Sequence, residues 1–305
     1  GIYILSAVLF FIISIPSWLL DILLAFNIMV ALIILFNSLY AKEVLDMAAF
    51  PTMLLFTTIF RISLNVSSTK MILRDGYAGH VVATFGEFVG GGNLVIGTII
   101  FIVLIIVQFI VINKGSERVS EVTARFTLDA MAGKQMAIDS DLNTGAITDK
   151  EAAERRKKLQ QENSFFGSMD GATKYVKGDA TAGLIITAIN LVGGVIMGMM
   201  YRGQSVNEAL STYAILTIGD GLCSQIPSLL ISLSTGILVT KASSEGELGD
   251  EMVGQLFSID RVLIMVGAAL AFLGVLTPLP IYIFVPLGIL LIVYGRKLKD
   301  KSGEA

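Results

Sequence analysis

With 305 residues, 54% of them apolar, only 15% charged and a mean hydropathy of +0.77, the chain lies outside the range of soluble globular domains. The formal net charge of −3 says little by itself, and nothing in the chain points to a nucleic-acid partner. A lone cysteine, Cys223, excludes an intrachain disulfide, and a lone histidine, His80, cannot by itself build a metal cluster; both read as structural.

Apolar runs set the organisation. A helix needs about 20 residues to cross about 30 Å of hydrocarbon. Eight stretches qualify: 2–15, 18–40, 44–60 or somewhat beyond, 94–112, 182–201, 213–240, 262–277 and 281–294. The first is short and starts at Gly1; without a basic start or a small-residue cleavage site it reads as a truncated helix rather than a signal peptide. The expected fold is therefore an all-α polytopic membrane protein of about eight transmembrane helices. Spans one to four occupy 1–113, a cytoplasmic loop 114–181, spans five to eight 182–296, and a basic tail 297–305.

Charge distribution sets the orientation. Lys and Arg gather in the loop from Lys114 to Lys177, around Lys241 and Arg261, and in the tail from Arg296 to Lys299. All three fall on one side if both termini are cytoplasmic, as the positive-inside rule favours. Lys70 and Arg74 fit this count less well, since they fall outside. Glycines inside the spans (Gly183, Gly193, Gly194, Gly198, Gly219, Gly221, Gly236) read as small-residue packing of helices, or as subunit contacts.

The loop carries eleven basic and eleven acidic residues between Lys114 and Ala180. Thr148 with Glu151 makes a capping box that opens a helix. Glu151–Arg155 and Glu154–Lys158 are i,i+4 pairs of favourable order along it. The run Arg155-Arg156-Lys157-Lys158 reads as a solvated helix face, with anionic lipid or an acidic partner as the sharper reading. A calcium loop from Asp139 fails on spacing, because Thr144 and Lys150 stand where glycine and a bidentate acid are required. Gly90-Gly91-Gly92 lacks the GK[ST] of a phosphate loop. No nucleophile motif stands near His80, so nothing indicates an enzyme or an ATPase.

Charges within the spans call for a partner or a task. Asp21, near the outer start of the second span, and Arg61, near the outer end of the third, read as an ion pair. Asp220 lies in Ile218-Gly219-Asp220-Gly221, with Pro227 one to two turns on, which reads as a locally broken helix lining protein or water. A desolvated acid suits reversible protonation, so proton handling stands beside a buried structural carboxylate as its reading. Asp170 and Lys174 are four apart and would pair on one helix face; Asp179 follows at the expected membrane interface.

The block RVSEVTARFTLDAMAGKQMAIDSD, Arg118 to Asp141, closely resembles the signature of the FHIPEP family, the inner-membrane export proteins of flagella and of virulence injectisomes. Arg118, Glu121, Arg125, Phe126, Asp129, Gly133, Lys134 and Asp139 are among the matching positions. SMDGATKYVKGDATAG, IGDG around Asp220 and FRISLNVSSTK from Phe60 also match, so the resemblance covers almost the whole chain. One departure is Ala132, where the family has proline, which leaves a chain reversal before Gly133 less enforced.

The resemblance implies a component of a type III export gate in the bacterial inner membrane, with protons as coupling ion and no other cofactor. It further implies a nonameric ring, other gate membrane proteins as partners, and chaperone–substrate complexes bound by a soluble domain beyond this chain. It also implies roles in export and proton coupling for the charges at Arg125, Asp129, Asp170, Lys174, Asp179 and Asp220. The flagellar branch fits GDGLCSQIPSLLISLSTGILVTKAS better than the injectisome branch. The competing class is a proton-coupled transporter of small solutes, which would share membrane acids and broken helices but commonly shows an internal repeat; no convincing repeat is present. On the export reading, Asp220 and Asp179 exchange protons, and the loop carries the change onward.

Overall fold

Residues 10, 11, 13, 15–90, 93–241, 254, 256–276 and 280–303 are described by the structure, a computed structural model. Among them every regular element is helical, as expected for an all-α polytopic membrane protein. The chain divides into two compact units, 1–244 and 245–305. Among the described residues, six helices are long and apolar enough to cross a membrane. The expected first span, 2–15, lies mostly outside the described residues.

In the first unit, α1 is Ser17–Tyr40, α2 Phe50–Asp75, α3 His80–Gly90 and α4 Leu94–Val107. A π-helical turn, Gln108–Asn113, joins α4 to α5, Lys114–Asn143; then come α6, Asp149–Arg202, and α7, Val206–Thr240. The outer faces are apolar: Trp18, Ile22, Phe26, Met29, Ile33 and Phe36 of α1 are exposed, as are Ile99, Ile102, Val103 and Ile106 of α4. Polar side chains such as Asn27, Ser38, Thr58, Asn65, Ser68 and Asn190 are buried instead. A soluble domain distributes them the other way round. This inversion is what a hydrocarbon solvent selects.

The hub of the unit is α7, with 19 of its 35 residues buried. It contributes Ile231, Leu238 and Val239 to one apolar cluster with Phe50, Leu54, Phe165 and Phe166. Tyr213, Leu216 and Cys223 join Leu20, Leu24, Phe60, Ile72 and Val82 in another. Contrary to the expected break at Asp220, α7 runs continuously through Gly219, Gly221 and Pro227. The glycines serve approach rather than interruption: a Cβ at Gly219 would lie 1.9 Å from the Val82 carbonyl oxygen of α3, and one at Gly221 2.4 Å from the Phe101 ring. Lys241, nearly fully buried just after α7, donates to the Leu39 carbonyl at the end of α1 (3.2 Å), where the helix dipole favours a cation.

The stretch expected as a loop is mostly two helices. They lie antiparallel and are laced by Glu117–Lys177 (2.9 Å), Lys134–Glu162 (3.4 Å), Asp139–Arg156 (2.5 Å) and Asp141–Arg155 (3.3 Å). Arg155 and Arg156 thus find partners across the hairpin, and Lys158 reaches Glu43 at 2.7 Å, replacing the expected i,i+4 pairs with Glu151 and Glu154. The reason is geometric: tertiary packing brings acids of α5 to the two arginines and Glu43, ahead of α2, to Lys158. No reversal occurs at Ala132-Gly133, which lie inside α5. The chain turns at Thr144–Thr148, with Gly145 at φ 76°. The Thr148–Glu151 capping box then opens α6. Hydrogen bonds from the Thr148 backbone and side chain hold the Glu151 carboxyl below its ordinary value. No helix break marks 181/182, since α6 continues unbroken for 54 residues.

Lys70 donates to the Phe11 carbonyl and Arg74 pairs with Asp75 at 2.8 Å, which accounts for two cations that the simple topology leaves outside. In the second unit, α8, Asp260–Leu276, and α9, Ile281–Gly303, form a hairpin. A Cβ on Gly267 or Gly288 would lie 2.5 Å from the other's carbonyl oxygen, so this pair sets the approach of the two backbones.

Gly219→Ala should lower the stability of the purified protein by about 1–3 kcal/mol through overpacking against α3. Gly178→Ala, where a Cβ meets nothing within 4 Å, should leave it unchanged or raise it. Thermal unfolding in detergent checks both. Thr148→Ala should speed amide exchange in the first turn of α6. In the parent chain the same fraying should begin only on acidification below 4.5, because a depressed folded value makes the cap persist until pH falls through it.

Candidate functional site

Three helices bring polar residues to a shared interface. On α2, Arg61, Asn65 and Ser68 follow at i, i+4 and i+7; on α6, Asp179, Gly183, Thr187 and Asn190 keep the same period; on α7, Asp220, Ser224 and Ser228 are four apart. Such spacing places each set on one helix face. The three faces meet in a polar seam inside an otherwise apolar bundle.

At one end of the seam, Arg61 and Asp179 form a buried ion pair, with side chains 1% and 4% exposed. Arg61 Nε donates to Asp179 Oδ2 at 2.7 Å, and Nη2 donates to the same oxygen. The guanidinium and the carboxylate border a part-open cavity of about 40 Å³ lined also by Asn65, Gln108, Thr187, Ser224 and Ser228. Gln108 donates from Nε2 to the Gln225 carbonyl at 2.9 Å. At the other end, Asn190 Nδ2 donates to Asp220 Oδ2 at 2.8 Å, with the Ser68 hydroxyl beside the same carboxylate. Asp220 is 4% exposed.

The expected Asp21–Arg61 pair does not form. Arg61 lies in the middle of α2 rather than near its end, because that helix runs on to Asp75. Asp21 instead caps α3, accepting from His80 N and Val81 N at 2.9 Å each. A carboxylate at a helix N-terminus satisfies orphan amides and meets the positive end of the dipole.

The remaining predicted residues lie outside the seam. Lys174 Nζ stands 2.7 Å from Asp170 Oδ2 on an exposed face of α6. Arg125 of α5 lies 3.5 Å from Glu121, and both are within electrostatic reach of Lys174. Asp129 is exposed one turn further along α5. The structure thus brings Asp179 to Arg61 and Asp220 to Asn190, sets Arg125 near the Asp170–Lys174 pair, and leaves Asp129 exposed further along α5. Asn65, Ser68, Gln108, Asn190 and Ser228 are seam residues that the charge-based reading passes over. Polar residues recurring every three to four positions in an apolar run are the signal that finds them.

The buried pair makes a definite energetic demand. Removing one partner strands a buried charge, which costs about 3–5 kcal/mol, whereas replacing both with apolar groups is often neutral. Arg61→Met alone should therefore destabilise strongly, and Arg61→Met with Asp179→Leu should recover most of the loss, measured by equilibrium unfolding in detergent.

A profile of the FHIPEP family matches residues 7–305. The flagellar biosynthesis protein FlhA of Bacillus subtilis is 53% identical over 293 residues, covering 96% of this chain and 43% of that protein. FlhA of Salmonella typhimurium is 49% identical over 278 residues, 90% of this chain and 40% of that protein. The hypersensitivity response secretion protein HrcV of Ralstonia nicotianae is 44% identical over 307 residues, 99% of this chain and 44% of that protein. This chain therefore spans about two fifths of the length of its relatives. No solved structure matches it. A helical membrane bundle with a matched signature along nearly all its length places this chain in the FHIPEP family.

Proposed function

We propose that this chain is the membrane portion of a component of a type III protein export apparatus, of the flagellar branch, and that it couples proton movement to export. The observation that carries the coupling is the polar seam, with a carboxylate at each end, Asp179 and Asp220, inside an apolar bundle. Intramembrane acids are costly to bury, and where they persist they mark ion pathways and proton relays. Asp220 has hydrogen-bond partners in Asn190 and Ser68 that accommodate either protonation state, whereas Asp179 has a fixed counter-charge in Arg61. Protonation of Asp179 would release Arg61, and the change would pass along α6 to the α5–α6 hairpin, where Arg125, Asp129, Asp170 and Lys174 lie.

On this reading the protein sits in the bacterial inner membrane with both termini and the α5–α6 hairpin cytoplasmic. It assembles as a nonameric ring with other gate membrane proteins, and a soluble domain following this chain receives chaperone–substrate complexes. The 44% identity to HrcV supports the injectisome gate as second reading. A ring seen in a low-resolution image of the purified assembly would exclude a solute transporter.

Asp220→Asn should abolish secretion and reduce proton flux across reconstituted membranes, with the fold retained because asparagine preserves the shape of the site. Normal secretion with unaltered flux would remove Asp220 from the mechanism.

A further inference from the structure

Two buried donors in the seam have no partner among the described residues: Arg61 Nη1 and the Ser228 hydroxyl. Arg61 is 1% and Ser228 5% exposed, and both line the cavity beside Asp179. An unpaired guanidinium nitrogen in such a place costs a full desolvation penalty. Ordered water is what ordinarily removes that penalty in a polar, roomy site. A second recess adjoins the first, lined by Lys114, Ser116, Glu117, Thr173, Lys177 and Thr235, with Lys114 and Lys177 exposed.

Among the described residues, two line both spaces, Phe109 and Ala180. Of these only Phe109 has a side chain large enough to close the way between them. It lies in the π-helical turn between α4 and α5, and Lys114 Nζ stands 5.3 Å from its ring centroid. Such π-turns are rare and recur at functional sites. A cation over the ring at an exposed site holds it only weakly, so the contact is free to release.

We propose that the cavity around Arg61 and Ser228 holds water, that the recess at the root of α5 is its route to the aqueous side, and that Phe109, which borders both, is the side chain that gates this route. The ligand class is water and the small hydrated ions it carries. The proposal deepens the proton-coupling reading by giving the buried Asp179 its access route, but its geometry stands without that reading.

The test is thiol accessibility in the full-length protein, in de-energised vesicles, with a small membrane-impermeant cationic methanethiosulfonate as probe. Ser228→Cys should react slowly in the parent background, where Cys223 is buried and silent. Adding Phe109→Ala should speed the reaction by about tenfold, the rate equivalent of removing a barrier of about 1.4 kcal/mol. Phe109→Trp should slow it. An exposed control, Ser164→Cys, must react at one rate in all three backgrounds, and each variant must keep the parent's unfolding temperature. Hydroxyl-radical footprinting of 224–228 in the unsubstituted chain provides a reading that needs no cysteine, with protection equal to that of the apolar core overturning the hydrated cavity. Equal labelling rates at Ser228→Cys whatever stands at 109 would overturn the gate. Because no proton gradient is applied, either failure is distinct from a failure of Asp220→Asn to alter flux.

Discussion

The pairing of Arg61 with Asp179 is the constraint on which the arrangement of α2 and α6 depends. A guanidinium buried among transmembrane helices has few acceptable partners, and here one carboxylate oxygen takes two of its N–H groups. Hydrophobic side chains slide past one another with little change in energy in a hydrocarbon solvent. A desolvated ion pair does not, so it fixes the register of α2 against α6 where apolar packing alone would leave it loose. Once that register is set, Ser68 and Asn190 fall to the same side of α7 and meet Asp220. The seam is thus a consequence of one contact repeated through helical periodicity.

Much of the fold was legible. Apolar length located α1, α4, α7 and α9, and the Thr148–Glu151 box located the start of α6. What was not legible was continuity. Glycines beside Asp220 and Pro227 imitate a break, yet in α7 they admit the backbone of α3 and the ring of Phe101. Hydropathy falls at 181 and at 113 while the helix does not end, because a helix is free to leave hydrocarbon without changing its hydrogen bonding. The end of α2 was misplaced for the same reason: Arg61, Asn65 and Ser68 look like the edge of a span and are in fact its buried face.

The site was legible in its charges and not in its pairings. Asp179 and Asp220 stood out as acids in apolar surroundings, but the partner of Arg61 lies 118 positions away, across an intervening hairpin. Proximity in predicted depth favoured Asp21, whose oxygens a helix N-terminus claims. Similarly, i,i+4 spacing proposed partners for Arg155 and Lys158, and tertiary neighbours displaced them. Local rules rank the available contacts within one helix; they carry no information about what the next helix offers.

The continuity of α6 has a mechanical consequence. At 1.5 Å per residue its 54 residues extend about 80 Å, and Asp149 lies about 45 Å from Asp179. Gly178 and Gly183 lie within about a turn of Asp179 and Gly171 and Gly167 roughly two and three turns before it, and a Cβ at any of them would meet nothing within 4 Å. Packing within this chain does not require them, and each softens the helix relative to alanine by about 0.5–1 kcal/mol. The helix is then a beam with its most compliant section at its bearing point, while ion pairs to α5 stiffen the far arm. A flexure of about 5° at that section swings the tip by about 4 Å over the 45 Å arm. Small adjustments at a buried pair would leave the bilayer as large, directed displacements, with leverage in place of a chain of rearrangements.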